Sequence, residues 1–240
     1  MVNKKSTSEV KIDIVLSALN ESKNIEAIIN LVKDLVSLLP IEKLIFVDNG
    51  SSDQTFKKLD SFKKRFPELI ILQNPPGSSY SEGVLRGLKS ATSEYFMSFH
   101  TDLQYDPKSF VIENEEIIKN ALKNKKNIVG KRTGRPLVDA FFGLQFKLWV
   151  MFYLKIKLFD YNGQPRIIQN KLDIEKLEIL RGFGIDAGVC SQFDGASFIE
   201  IPVKEKRRNV GASSWNASIF SRFLLAKSYV RELKKIKNSK

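Results

Sequence analysis

The sequence predicts an α/β protein with a mainly parallel central sheet flanked by helices and followed by amphipathic C-terminal helices. Three observations predict it. Short apolar, β-branched runs alternate with helix-periodic segments through the first half of the 240 residues. The runs are continuous rather than alternating, as expected of strands covered on both faces. Basic, apolar segments dominate the second half.

Each element follows in order. Val10–Leu16 is an apolar strand between polar flanks. Ile25, Ile28, Ile29, Val32, Leu35, Val36 and Leu39 mark one face of a helix that Pro40 ends. Leu44–Val47 is a second strand, closed by the turn Asp48-Asn49-Gly50-Ser51. A helix carries Phe56, Leu59 and Phe62; Leu69–Leu72 is a third strand, turned by Pro75-Pro76-Gly77. Glu82–Ala91 is helical, Tyr95–Phe99 a fourth strand, Pro107–Leu122 one helix, and Asn127–Gly130 a short strand. Gly83 and Gly87 of the helix Glu82–Ala91 suit close packing more than phosphate binding. Ser197–Val203 is one more strand. Residues 1–9 read as a flexible start, 10–214 as the folded α/β domain, and 215–240 as a basic amphipathic tail.

Composition excludes several classes. The single cysteine, Cys190, rules out an intrachain disulfide and fits a reducing compartment. The N-terminus lacks the apolar stretch of a signal peptide. No window offers the roughly 18–20 apolar residues of a membrane span. The formal charge of +12 asks for an anionic partner. Nucleic acid is not that partner, because the basic residues are dispersed and no recognition motif accompanies them.

Ligands of open α/β sheets bind beyond the carboxyl ends of the strands. There the sequence gathers Asn20 and Glu21, then Asp48, Asn49 and Asp53, then His100, Asp102 and Gln104, then Lys131 and Arg132. Carboxylates and cations at one rim suit a nucleotide whose diphosphate is bridged by a hard divalent cation.

Five ordered motifs sharpen this. They are Ser17-Ala18-Leu19-Asn20-Glu21, Val47-Asp48-Asn49-Gly50-Ser51-Ser52-Asp53, and His100-Thr101-Asp102-Leu103-Gln104-Tyr105-Asp106-Pro107. Gly130-Lys131-Arg132 follows, and Glu200-Ile201-Pro202-Val203 precedes Arg208-Asn209-Val210-Gly211-Ala212-Ser213. Over roughly residues 10–214 the chain resembles family-2 glycosyltransferases of the GT-A fold, in particular the dolichol-phosphate mannose synthase and polyprenyl-phosphate sugar transferase branch. Departures are Ser17 and Leu19 for a proline and a tyrosine, Asn49 for an aspartate, and His100 for the first aspartate of the metal motif.

The resemblance implies a hexosyltransferase acting with inversion on a GDP- or UDP-sugar, with Mn²⁺ or Mg²⁺ as cofactor. Nucleotide-sugar contacts are expected from Leu19, Glu21, Asp48, Asn49, Asp53, Thr101, Asp102, Arg132 and Arg208. Asp102 and Gln104 would hold the metal, with His100 as a third ligand or as a donor to the diphosphate; imidazole suits Mn²⁺ better than Mg²⁺. Catalytic roles fall to Asp102, Arg132, Arg166 and Asp186. Asp186 or Asp160 would be the base if the acceptor is a hydroxyl, and Arg166 would bind an acceptor phosphate. The plainer readings make Asp48 a turn former, Glu21 a helix-start charge, and both candidate bases caps or ion-pair partners.

The segment 138–159 and the tail resemble interfacial helices, with apolar faces toward acyl chains and lysines toward anionic headgroups. They point to a lipid phosphate acceptor and to a peripheral enzyme on the cytoplasmic face of an anionic membrane. A membrane-protein partner or a second copy of the chain would complete the assembly. The alternatives are a saccharide acceptor in cell-surface glycan assembly and a non-catalytic nucleotide-binding relative.

Overall fold

The computed structural model describes residues 10–64, 66–134, 137–156, 158, 160–204 and 219–239, without the side chains of 137–142 and 219–224. Among them, seven strands form one sheet: β1 (Ile12–Ala18), β2 (Ile41–Asp48), β3 (Leu69–Gln73), β4 (Tyr95–Ser98), β5 (Asn127–Thr133), β6 (Arg166–Gln169) and β7 (Phe198–Lys204). Their order is β3-β2-β1-β4-β6-β5-β7.

The parallel pairs set the register, with Ile14 beside Leu44 and Gly130 beside Ile201. The sheet departs from the expected pattern at β6. This four-residue strand runs antiparallel between β4 and β5, with Arg166 beside Ser98 and Val129. Its direction matters, because its first residue, rather than its last, reaches the carboxyl rim of the parallel strands.

Burial on both faces explains the continuous apolar runs. Ile12, Ile14, Leu16 and Ala18 of β1 join a core with α1 (Ile25–Leu38), α2 (Thr55–Lys63), α4 (Pro107–Glu113) and α5 (Glu115–Lys123). Val15 faces the opposite core, with α3 (Tyr80–Ser90), α6 (Leu137–Leu154), α8 (Gly184–Ser191) and α9 (Ile219–Asn238). α1 buries Ile25, Ile28, Ile29, Val32 and Leu35, the positions its periodicity predicts. Each such side chain contributes about 1.5–3 kcal/mol of transfer free energy.

α3 starts at Tyr80 because Ser79 and Glu82 form a capping box: Ser79 Oγ accepts from the Glu82 N–H at 3.4 Å, and Glu82 Oε2 from the Ser79 N–H at 2.6 Å. Its glycines serve packing, as expected. A Cβ on Gly87 would stand 2.4 Å from Val15 Cγ1, and one on Gly83 2.2 Å from Ser17 Oγ. The helix expected over Pro107–Leu122 is two helices. Asn114 breaks it with a non-helical backbone (φ −126°, ψ 22°) and donates its side-chain N–H to Phe110 O at 2.9 Å.

The second half also differs from expectation. α9 packs against α6 and α8, and its Tyr229, Leu233 and Ile236 are buried in the protein's own core. Glu232, only 1% exposed, accepts from the Arg181 N–H at 2.8 Å and pairs with Lys235 at 3.0 Å. Phe146 of α6 meets Tyr229 with ring centroids 4.9 Å apart. The outer row of α6 is open: Leu144, Leu148 and Phe152 are 50%, 53% and 77% exposed. Missed from the sequence were β6, α7 (Ile174–Glu178) and α8, the helices because neither carries a full two-turn apolar period.

Candidate functional site

The loops after β1 and β2 brace each other. Asn20 takes the left-handed conformation (φ 58°), which asparagine tolerates, and its Oδ1 accepts from the Ser52 N–H at 2.9 Å. The Glu21 N–H donates to Thr55 Oγ1 at 2.9 Å, while its carboxylate accepts from Asn24 Nδ2 at 2.6 Å. Asp53 accepts from the Ser22 N–H at 3.1 Å and the Thr55 N–H at 2.9 Å. Burial works against its charge, but these hydrogen bonds from Thr55 and Ser22 prevail and bring its pKa down to about 2.

Asp48 is fully buried and accepts from the Ser51 N–H at 3.2 Å, across the turn, and from Gln73 Nε2 at 3.1 Å. Asn49, also buried, donates from Nδ2 to Ser78 O at 3.0 Å and Ser79 O at 2.8 Å, and accepts from Asn74 Nδ2 at 2.7 Å. Two carbonyls facing one side chain require a donor. That is a physical reason for asparagine where the resemblance leads one to expect aspartate. Leu19 stands half exposed at the rim.

Beyond β4 the arrangement is different. Thr101 is buried and donates to Ser17 O at 3.3 Å. Asp102 Oδ1 accepts from the Gln104 N–H at 3.2 Å, and Leu103 between them has φ 57°. His100 lies 6.1 Å from the Tyr80 ring, centroid to centroid. Burial holds its pKa below the ordinary histidine value, against the pull of Asp102 and Asp186 and with the help of Arg166 and Arg132. Arg166 and Asp186 share a cavity wall with His100.

Two arginines are held by two aspartates. Arg132 grips Asp160 through Nε at 2.6 Å and Nη2 at 2.7 Å, a bidentate pair across the β5 end. Asp160 raises the Arg132 pKa despite burial. Close backbone packing sets this loop: a Cβ on Gly163 would lie 1.8 Å from Gly130 O, so both positions need glycine. Arg166 Nη1 meets Asp186 Oδ1 at 2.9 Å, and both side chains are nearly fully buried. Tyr80 Oη also reaches Asp186 Oδ1, at 3.5 Å.

A cavity of about 30 Å³ opens here, lined by Tyr80, His100, Gln164, Arg166 and Asp186 among others. A larger one, about 480 Å³, is lined by Lys171, Lys176 and Ile236 at the opposite edge of the sheet, where antiparallel β6 ends.

The structure thus brings His100, Asp102, Arg132, Arg166 and Asp186 together. It places Asp48, Asn49 and Asp53 in the bracing of the neighbouring loops. Arg208 and its motif lie outside the described residues. Among the described residues no group of three or more His, Cys, Asp or Glu side chains is placed to hold a metal ion. Sequence reasoning missed Tyr80, for which the Ser79–Glu82 capping box was the available signal. It also missed Gln164, for which there was none.

This sheet order, with its charged carboxyl rim, is that of a GT-A glycosyltransferase, and the sequence agrees. The model of the family described as "Glycosyl transferase family 2" matches residues 13–172, more than half of the chain, which belongs to that family. Among curated proteins it is similar to a dolichol-phosphate mannosyltransferase of Pyrococcus furiosus, 27% identical over 98 residues. That match covers 41% of this chain and 27% of the relative, so it spans little more than a quarter of the relative's length. Among solved structures the chain is similar to glucosyl-3-phosphoglycerate synthase of Mycobacterium tuberculosis in complex with Mn²⁺, UDP and glucosyl-3-phosphoglycerate. The TM-score is 0.66 at 14% identity, over 95% of this chain and 81% of that one. The same synthase with Mn²⁺, UDP-glucose and glycerol 3-phosphate gives 0.68 at 15% identity, with the same coverage. Identity this low shows a shared fold.

Proposed function

We propose that this protein transfers a sugar, with inversion, from a UDP- or GDP-sugar to a polyprenyl phosphate on the cytoplasmic face of an anionic membrane. Within a family-2 domain, the observation that carries this reading is that both candidate bases are ion-paired: Asp160 with Arg132, Asp186 with Arg166. Each carboxylate is thus already engaged by a guanidinium. A hydroxyl acceptor needs a base, whereas a phosphate monoester, with a second pKa of about 6, is already largely ionised at neutral pH.

The acceptor phosphate oxygen attacks the anomeric carbon, and the bond from that carbon to the nucleoside diphosphate breaks with its electron pair. Arg132 stands at the rim where that negative charge develops. Asp102, with Gln104 and His100 beside it, would hold a divalent cation that stabilises the leaving diphosphate.

The open ridge Leu144–Leu148–Phe152 on α6 supports a lipid acceptor, since an apolar helix face beside lysines suits an anionic interface. Among the described residues no helix is long and apolar enough to cross a membrane. A second reading, transfer to a small phosphorylated acceptor, draws on the synthase solved with glycerol 3-phosphate.

An assay with Mn²⁺, UDP-glucose or GDP-mannose, and polyprenyl phosphate in anionic vesicles, glycerol 3-phosphate or an oligosaccharide as acceptor, separates the readings. Transfer to polyprenyl phosphate is expected. Transfer to glycerol 3-phosphate alone replaces the lipid reading, and transfer to sugar hydroxyls alone rejects the phosphate acceptor.

A further inference from the structure

The geometry points to the cavity between β4, β6, α3 and α8 as a sugar-reading subsite that takes two neighbouring hydroxyl groups of the transferred sugar. Arg166 would donate to them from Nε and Nη2, and Gln164 and Asp186 would accept. The inference rests on the proposed transfer from a nucleotide sugar and adds which atoms choose the sugar.

Four buried polar atoms carry it. Arg166 Nε, Arg166 Nη2, Gln164 Oε1 and Asp186 Oδ2 have no protein hydrogen-bond partner, and their residues are only 2–3% exposed. Leaving one buried polar atom unmet costs roughly 1–3 kcal/mol, so four in one place call for a ligand or for ordered water. Nε and Nη2 form one edge of a guanidinium, two parallel donors about as far apart as vicinal oxygens. Arg166 engages Asp186 through the other terminal nitrogen, Nη1, which leaves that edge free.

Size and charge select the ligand. The buried space is small, about 30 Å³, room for roughly two water-sized groups. The charge of Arg166 is already balanced by Asp186, so an added anion would meet an uncompensated repulsion from Asp186 Oδ2. Two donors and two acceptors around a near-neutral, water-sized space match the hydroxyls of a sugar, each of which donates and accepts.

Position agrees. The cavity wall includes His100, two residues from Asp102, and the sugar is what adjoins the diphosphate. The antiparallel direction of β6 brings Arg166 to that spot, since only its first residue pairs with Ser98 at the rim.

The test is calorimetric binding of UDP, GDP, UDP-glucose and GDP-mannose to the full chain with Mn²⁺. The wild type is compared with Gln164→Leu, which removes an acceptor of no protein hydrogen bond and keeps the volume. The sugar is expected to tighten binding of its nucleotide at least tenfold in the wild type. Gln164→Leu is expected to remove at least fivefold of that gain and to leave the affinity for free nucleotide within twofold. Analogues of the bound donor, each lacking one sugar hydroxyl, then test the wild type without any variant. Two adjacent deoxygenations should each lose fivefold or more, and one of the two should lose nothing further in Gln164→Leu.

Equal affinity for nucleotide and nucleotide sugar, or no sensitivity to any deoxygenation, overturns the subsite and leaves the glycosyltransferase reading standing; the four atoms then serve bound water alone. Failure of every nucleotide to bind the wild type overturns both.

Discussion

The two halves of the sheet's carboxyl rim use their polar side chains in opposite ways. Beyond β1 and β2, the described contacts of Asp48, Asn49 and Asp53 go to neighbouring loops. Beyond β4 and β6, Arg166, Gln164 and Asp186 are as deeply buried as Asp48 and Asn49 but keep atoms without a protein partner. The same residue types at the same rim thus brace a loop in one half and keep buried atoms without a protein partner in the other. A motif nominates positions; only the hydrogen-bond accounting separates construction from recognition.

The comparison can be broken most sharply at Arg166. Arg166→Ala would strand Asp186 as a buried, unpaired carboxylate and lower stability by about 3–5 kcal/mol in denaturant unfolding. The double replacement Arg166→Leu, Asp186→Leu should recover much of that while abolishing sugar binding. A loss under about 1 kcal/mol would mean the pair is hydrated.

Asp102→Ala should act on activity instead. Transfer should fall about a hundredfold, ~2.7 kcal/mol of barrier, and lose its response to added Mn²⁺. The unfolding midpoint should stay put. An Mn²⁺-dependent rate in that variant would remove Asp102 from the leaving-group end.

Asn49→Asp sharpens the other half. Restoring the aspartate of the resembling family would set a carboxylate against Ser78 O and Ser79 O and cost about 1–3 kcal/mol of stability. A more stable variant would show that the asparagine is there for the ligand.

The smallest effect concerns acid. The folded pKa of Asp53, about 2, lies below its ordinary 3.8, so its bracing is fully present above about pH 4 and is lost as pH falls toward 2. The group is exposed, so screening keeps the contribution under about 1 kcal/mol. Asp53→Asn should flatten only that part of the stability–pH curve.

Much of this was legible in the residues. Periodicity placed α1 on its buried face, and continuous apolar runs announced a sheet covered on both sides. The ordered motifs marked the right rim. The rim positions of Asp102 and Arg132 were legible because residue type and strand-end spacing place them there. Asp48 and Asp53 were named for a ligand, yet letters alone do not reveal that Ser51, Gln73, Ser22 and Thr55 fold back to claim their oxygens.

By itself the sequence determined the alternation of strand and helix, the family, and the basic, cysteine-poor surface, because these follow from local periodicity, ordered motifs and composition. Only the tertiary structure decided that a four-residue strand enters the sheet reversed, that the tail closes the protein's own core, and that Arg166 meets Asp186 across 20 positions of chain. Strand direction and long-range ion pairs depend on which surfaces find each other in space, and no local pattern encodes that choice.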